Sequence, residues 1–192
     1  DINIDMWTRE YNQTSRFGSL SPNIVLRLYS SKTVRHALIR TNQLAAKYDG
    51  LDLAGKTIID ERNKLLRECE PCKQYYIVVI MQPASSDSKR NIVGERMRVV
   101  TFEDLKDTFY LTNEKGEKRN IFKFVPPSSD GGFATFYVER LDKDGTPLLS
   151  LASRKLIANW KVGSTNERAG YLMDRKVEFD VTKMIVESEV DF

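Results

Sequence analysis

Tyr75-Tyr76-Ile77-Val78-Val79-Ile80-Met81 is an unbroken run of seven apolar and aromatic residues, four of them β-branched. A run of this length and composition reads as a strand, and a strand apolar at every position is buried on both faces. It must therefore lie centrally in a sheet, with cover on each side. It is also far short of the about 20 residues that a membrane-spanning helix requires.

The segments around it carry the period of two of strands with one buried face. Ile24, Leu26 and Leu28 alternate with Val25, Arg27 and Tyr29 between Asn23 and Tyr29; Leu156, Ala158, Trp160 and Val162 alternate with Lys155, Ile157, Asn159 and Lys161; Val177, Phe179 and Val181 do so near the end. Further strands are expected over Glu95–Phe102, Thr108–Thr112, Glu117–Val125, Ala134–Leu141 and Thr146–Leu151. Turns of Asn113-Glu114-Lys115-Gly116 and Asp142-Lys143-Asp144-Gly145 join two pairs of these as hairpins, because asparagine and glycine tolerate positive φ. Gln82–Asn91 and Pro126–Gly132 have the composition of loops.

Helical spacing occurs in one place. Ser31 or Thr33 can cap a segment in which Val34, Ala37, Leu38, Thr41, Leu44, Ala45 and Tyr48 form a stripe ending near Gly50. A second segment, from about Lys56 to Cys69, spaces Ile58, Ile59, Leu65, Leu66 and Cys69 on one side and is expected to stop at Pro71. Short strands interrupted once by two helices predict a mainly β protein: an antiparallel, immunoglobulin-like β-sandwich with an amphipathic helical hairpin at about 31–70. Residues 1–22 read as an N-terminal arm or edge segment and 23–192 as one domain, within the size a single core supports.

Three stretches, Gln74-Tyr75-Tyr76-Ile77-Val78-Val79 after the helices, the hairpin Phe136 to Gly145, and Phe179-Asp180-Val181-Thr182-Lys183-Met184, give the chain a resemblance to a group of uncharacterised bacterial exported proteins. The similarity is one of element pattern over residues 23–185. It implies an immunoglobulin-like sandwich and brings no activity or site residue with it.

Chemistry is concentrated in Cys69-Glu70-Pro71-Cys72. A thioredoxin-type site places its cysteines after a strand and at the start of a helix; with Cys69 expected at a helix end, the partial negative charge there should make the thiol a poorer nucleophile. A zinc site needs about four ligands, and the chain offers this pair and His36, which shares the polar face of the first helix with Arg40, Gln43 and Lys47. Haem attachment would need a histidine where Lys73 stands. The expectation is a structural disulfide between Cys69 and Cys72, since residues three apart on a helical turn lie about 5 to 6 Å apart.

Phosphate loops and nucleophile elbows are missing, and a sole histidine argues against histidine-based triads. Asp142 with Asp144, and Asp60 with Glu61, read as solvated charge, and no catalytic residue, cofactor or metal ligand is assigned. Thirty basic against 27 acidic residues, net +3, give no nucleic-acid signature, although Lys89, Arg90, Arg96, Arg98, Lys115, Lys118 and Arg119 would gather if the hairpins aligned. Tyr75, Tyr76, Phe122, Phe124, Phe136, Tyr137 and Trp160 read mostly as core, or else as the lining of a ligand groove.

The chain opens on Asp1 rather than methionine, as expected where a preceding segment has been removed. Paired cysteines suit an oxidising compartment, secreted or periplasmic, where Asn12-Gln13-Thr14 would be a glycosylation triplet in a eukaryote. The function expected is a non-catalytic exported binding or structural module with a protein partner. Thiol-disulfide exchange through Cys69 and Cys72, and carriage of a small apolar ligand between sheet and helices, are the alternatives.

Overall fold

The structure, a computed structural model, describes residues 8–11, 24–81, 92–129, 133–160, 175–186 and 189–191. The Asn12 triplet and the polar segment 82–91 lie outside them. Eight strands form one antiparallel sheet: β1 (Thr8–Tyr11), β2 (Ile24–Leu28), β3 (Tyr75–Met81), β4 (Phe109–Asn113), β5 (Lys118–Val125), β6 (Ala134–Glu139), β7 (Lys155–Trp160) and β8 (Arg175–Asp180), in the order β1-β2-β3-β6-β5-β4-β7-β8. A small pair, β9 (Ile185–Val186) and β10 (Glu189–Val190), follows. The mainly β, antiparallel class expected from the sequence is what the chain has, and the sheet curls into a nearly closed barrel.

Inside the curl, alternate side chains from successive strands meet in one core. Leu26 and Leu28 of β2 face Tyr76, Val78 and Ile80 of β3, which are paired in turn with Ala134, Phe136 and Val138 of β6. Phe109 stacks on Phe136 with ring centres 4.0 Å apart, and Trp160 lies 6.2 and 6.4 Å from these two rings. Truncating a ring in this stack leaves a cavity that backbone hydrogen bonding prevents from closing. Curvature comes from β5, whose first residues, Lys118–Asn120, pair with β4 while Ile121–Val125 pair with β6. The register shifts between Ile121 and Lys123, a bulge that bends the strand where it changes partner.

Two expected strands are absent. Glu95–Phe102 is instead helical, in α5 (Ile92–Val99) and α6 (Phe102–Leu105). In a strand Met97 and Val99 would share a face; instead Met97 and Val100 are buried in the core and Val99 is 53% exposed, the helical period. Thr101 and Asp104 close a capping box at the start of α6. Thr146–Leu151 contributes only the bridge Leu141↔Pro147, because Pro147 has no N–H to continue a ladder and the adjacent Leu148 and Leu149 both turn inward. Both expected turns form, with Gly116 at φ 82° and Gly145 at φ 79°.

The helical insertion between β2 and β3 has four α-helices, with a 3-10 turn at Tyr48–Gly50 between the first two. These are α1 (Lys32–Ala45), α2 (Leu53–Arg62), α3 (Lys64–Glu68) and α4 (Glu70–Gln74). Ser31 caps α1 and Asp52 caps α2, accepting from the backbone N–H of Val34 and Gly55. The second helix thus starts earlier than its apolar spacing suggested, breaks at Asn63 and again at Cys69, and resumes beyond each. Pro71 does not end the helical region: it sits in the first turn of α4, where no backbone N–H is required. The expected apolar stripe is also only partly used, since Val34 and Ala37 are buried whereas Leu44, Ile58 and Leu65 are exposed.

Phe136→Ala is expected to cost about 3 to 5 kcal/mol, seen as a lower denaturant midpoint with little change in slope. At the second turn, Asp142 accepts from the N–H groups of Thr146 (2.7 Å) and Asp144 (3.0 Å) and pairs with Arg119 (3.1 Å). The bond from Thr146 is the largest influence and desolvation opposes it, while the bond from Asp144 and the charge of Arg119 add to it, so the carboxyl is held below the usual range. A depressed carboxyl contributes stability above its unfolded value, about pH 4, and loses it as pH falls through the lower folded value. Asp142→Asn should therefore flatten the acid limb of the stability profile below about pH 4, measured by urea titration at several pH values.

Candidate binding groove

The odd-numbered residues of β3 face away from the core, yet Ile77 and Val79 are only 4% and 3% exposed. A groove of about 480 Å3 runs over them, with Thr135 and Tyr137 of β6 completing its floor. Leu65, Glu68, Cys69, Glu70 and Pro71 of the α3–α4 segment form one wall, and Tyr29 and Phe133 complete the lining. Tyr29 is fixed by its N–H, which donates to Ile77 O at 2.7 Å. Burial raises the Tyr29 phenol pKa above its ordinary value, while the positive charge of Arg35 opposes the rise, so the phenol is neutral at physiological pH.

Apolar surface continues beyond the groove. Tyr137 meets Tyr75 edge-on, with ring centres 5.9 Å apart, and Tyr75 stacks on Phe122 at 5.3 Å. Leu65 is 84% exposed, Phe122 55% and Phe133 49%. Of the aromatics assigned mostly to the core, Tyr76, Phe136 and Trp160 lie there, whereas Tyr75, Tyr137 and Phe122 belong to this outer ledge. Strand parity separates Tyr137 from Phe136 and Val138. The wall residues come from one short segment, Leu65 to Pro71, just before β3, and among them only Cys69 carries a signature in the sequence.

The wall is held by buried polar contacts. Arg35 of α1 is buried, and its Nη1 donates to the carbonyls of Leu66 (2.8 Å) and Arg67 (3.2 Å) at the end of α3. Desolvation lowers the Arg35 pKa, and the nearby Asp191 carboxylate is the larger of two opposing effects. Asp191 itself accepts from Ser31 Oγ (2.8 Å) and Thr33 N–H (3.0 Å), joining the start of α1 to the segment after β10. Asn42 Nδ2 donates to Asn63 Oδ1 at 2.8 Å, tying α1 to the break between α2 and α3.

Cys69 and Cys72 have their Sγ atoms at disulfide-bonding distance, with Cα atoms 5.3 Å apart. Their setting differs from the expected helix end. Cys69 follows α3 and directly precedes α4, with φ 21°, while the Cys72 N–H donates to Cys69 O at 2.9 Å. A non-glycine residue held at such a φ costs about 1 to 3 kcal/mol. Cys69 is partly exposed along the groove, whereas Cys72 is 2% exposed and its carbonyl accepts from Arg140 Nη1 at 3.1 Å.

The remaining sequence candidates stand apart from this groove. His36 is exposed on α1, and Asp60 accepts from Tyr48 Oη (2.8 Å) and pairs with Arg67 (3.5 Å). Lys118 lies over the Tyr110 ring and Arg119 is engaged by Asp142, so these two are committed within the fold; Lys89 and Arg90 fall outside the described residues. Among the described residues no group of three or more His, Cys, Asp or Glu is placed to hold a metal, and no helix is long and apolar enough to cross a membrane.

Arg35→Leu would leave the α3 carbonyls without this donor and Asp191 without its charge partner. It is expected to cost about 2 to 4 kcal/mol, and limited proteolysis should then cut first within residues 46–70. Comparison of the chain with protein-family models, with curated proteins and with solved structures finds no match.

Proposed function

We propose that this chain is an exported, non-catalytic binding module that holds an apolar segment of a partner polypeptide in the groove between β3, β6 and the α3–α4 wall. The observation that carries this reading is the apolar surface running past the rim, from Leu65 and Phe133 across Tyr137 and Tyr75 to Phe122. A small molecule seated over Ile77 would leave that ledge in water, whereas a polypeptide would cover groove and ledge together. Aromatic anchors around a pocket are the usual centre of a polypeptide interface. Export is supported by the cysteine pair. The finer fold class, an immunoglobulin-like sandwich, is supported by the β5 bulge, which falls where one curled sheet would divide into two facing halves.

The test uses a fluorescein-labelled ten-residue peptide alternating leucine and serine, titrated by fluorescence polarisation. Saturable binding is expected, weakened at least about tenfold, or about 1.4 kcal/mol, by Leu65→Asp or Tyr137→Arg. No saturable binding, or equal affinity in the wild type and both variants, would remove the groove from this role.

A second reading is favoured by the groove's volume of about 480 Å3, which matches small-molecule sites. Native mass spectrometry of freshly purified protein should then show a retained mass that Tyr137→Arg removes. A spectrum with the bare chain mass alone excludes a tightly held ligand.

A further inference from the structure

We infer that the Cys69–Cys72 disulfide is an exchangeable one, oxidising a cysteine pair carried by the apolar polypeptide that the groove receives. This rests on the groove reading above and adds a reaction to it.

Two independent features converge on the pair. Cys69 lines the groove and is partly exposed, so an incoming sulfur bound there reaches one half of the disulfide, while Cys72 is 2% exposed and shielded. This asymmetry directs attack to one sulfur and leaves the other as leaving group. Cys69 also holds a positive φ of 21° between two helical segments, a backbone state that a non-glycine residue keeps only under constraint. Opening the short ring frees it, which favours the reduced form and makes the disulfide a better oxidant.

The exchange balances as follows. A thiolate of the bound polypeptide attacks Cys69 Sγ, forming a mixed disulfide and expelling Cys72 as a thiolate that takes a proton from water. The second thiolate of the polypeptide then attacks its own bridged sulfur, releasing Cys69 as a thiolate that is protonated in turn. Two electrons pass from the polypeptide to the cysteine pair, one disulfide is lost and one gained, and no other reactant enters a single turnover.

The test mixes oxidised protein with a ten-residue leucine-serine peptide holding two cysteines two residues apart, quenches with an alkylating agent and reads the products by mass spectrometry. Reduced glutathione at equal thiolate concentration is the reference. Exchange with the peptide is expected to be at least ten times faster, and Leu65→Asp, at a solvent-exposed position, should bring it down to the glutathione rate. A single-cysteine version of the peptide should be found on Cys69. Equal rates for peptide and glutathione, or an adduct on Cys72, overturn the inference. Binding of a cysteine-free peptide is measured in parallel. If that peptide binds while the rates are equal, exchange fails alone; if it does not bind, the groove reading fails and exchange falls with it.

Discussion

The structure depends on one constraint: β3 must be kept from water on both faces. Tyr76, Val78 and Ile80 find their cover inside the curled sheet, and the stacked rings of Phe109 and Phe136 fill the same core. Ile77 and Val79 lie on the opposite face, 4% and 3% exposed, with the α3–α4 end of the insertion standing beside them across the groove. The groove is what remains between a strand that must be buried and helices that do not close over it.

Much of this was readable from residue order, and the parts that were not have identifiable causes. The run at Tyr75–Met81 announces a central strand with two covered faces, and turn chemistry at Asn113–Gly116 and Asp142–Gly145 announces its own geometry. Over Glu95–Phe102, Arg96 and Arg98 alternate with Met97 and Val99, so a short helix imitates a strand; only the burial of Met97 and Val100 against the exposure of Val99 separates the two periods. Pro71 was misleading because proline both terminates helices and begins them, and the choice depends on whether a new turn follows.

The groove was less legible than the fold. Its floor lies in strands whose parity can be read, but its wall comes from α3 and α4, and no local pattern specifies which face of an inserted helix meets a sheet. Leu65 fits an apolar stripe that predicts burial, yet it projects at the rim. Arg35 stands outside every pattern read from the sequence, yet it is the buried donor that anchors the end of α3. A long-range contact of this kind replaces what the insertion lacks in apolar packing, since no residue of α2 or α3 is buried.

The anchoring of α1 by Asp191 bears on the order in which the molecule is completed. Ser31 and Asp191 are 160 positions apart in the chain, so the helix that positions the groove wall acquires this partner only after every sheet strand has been synthesised. Because long loops must close before such contacts contribute, the insertion docks late relative to its place in the sequence. The chain thus builds its barrel while the groove is unfinished, and the groove acquires its final form only in a molecule whose core already exists.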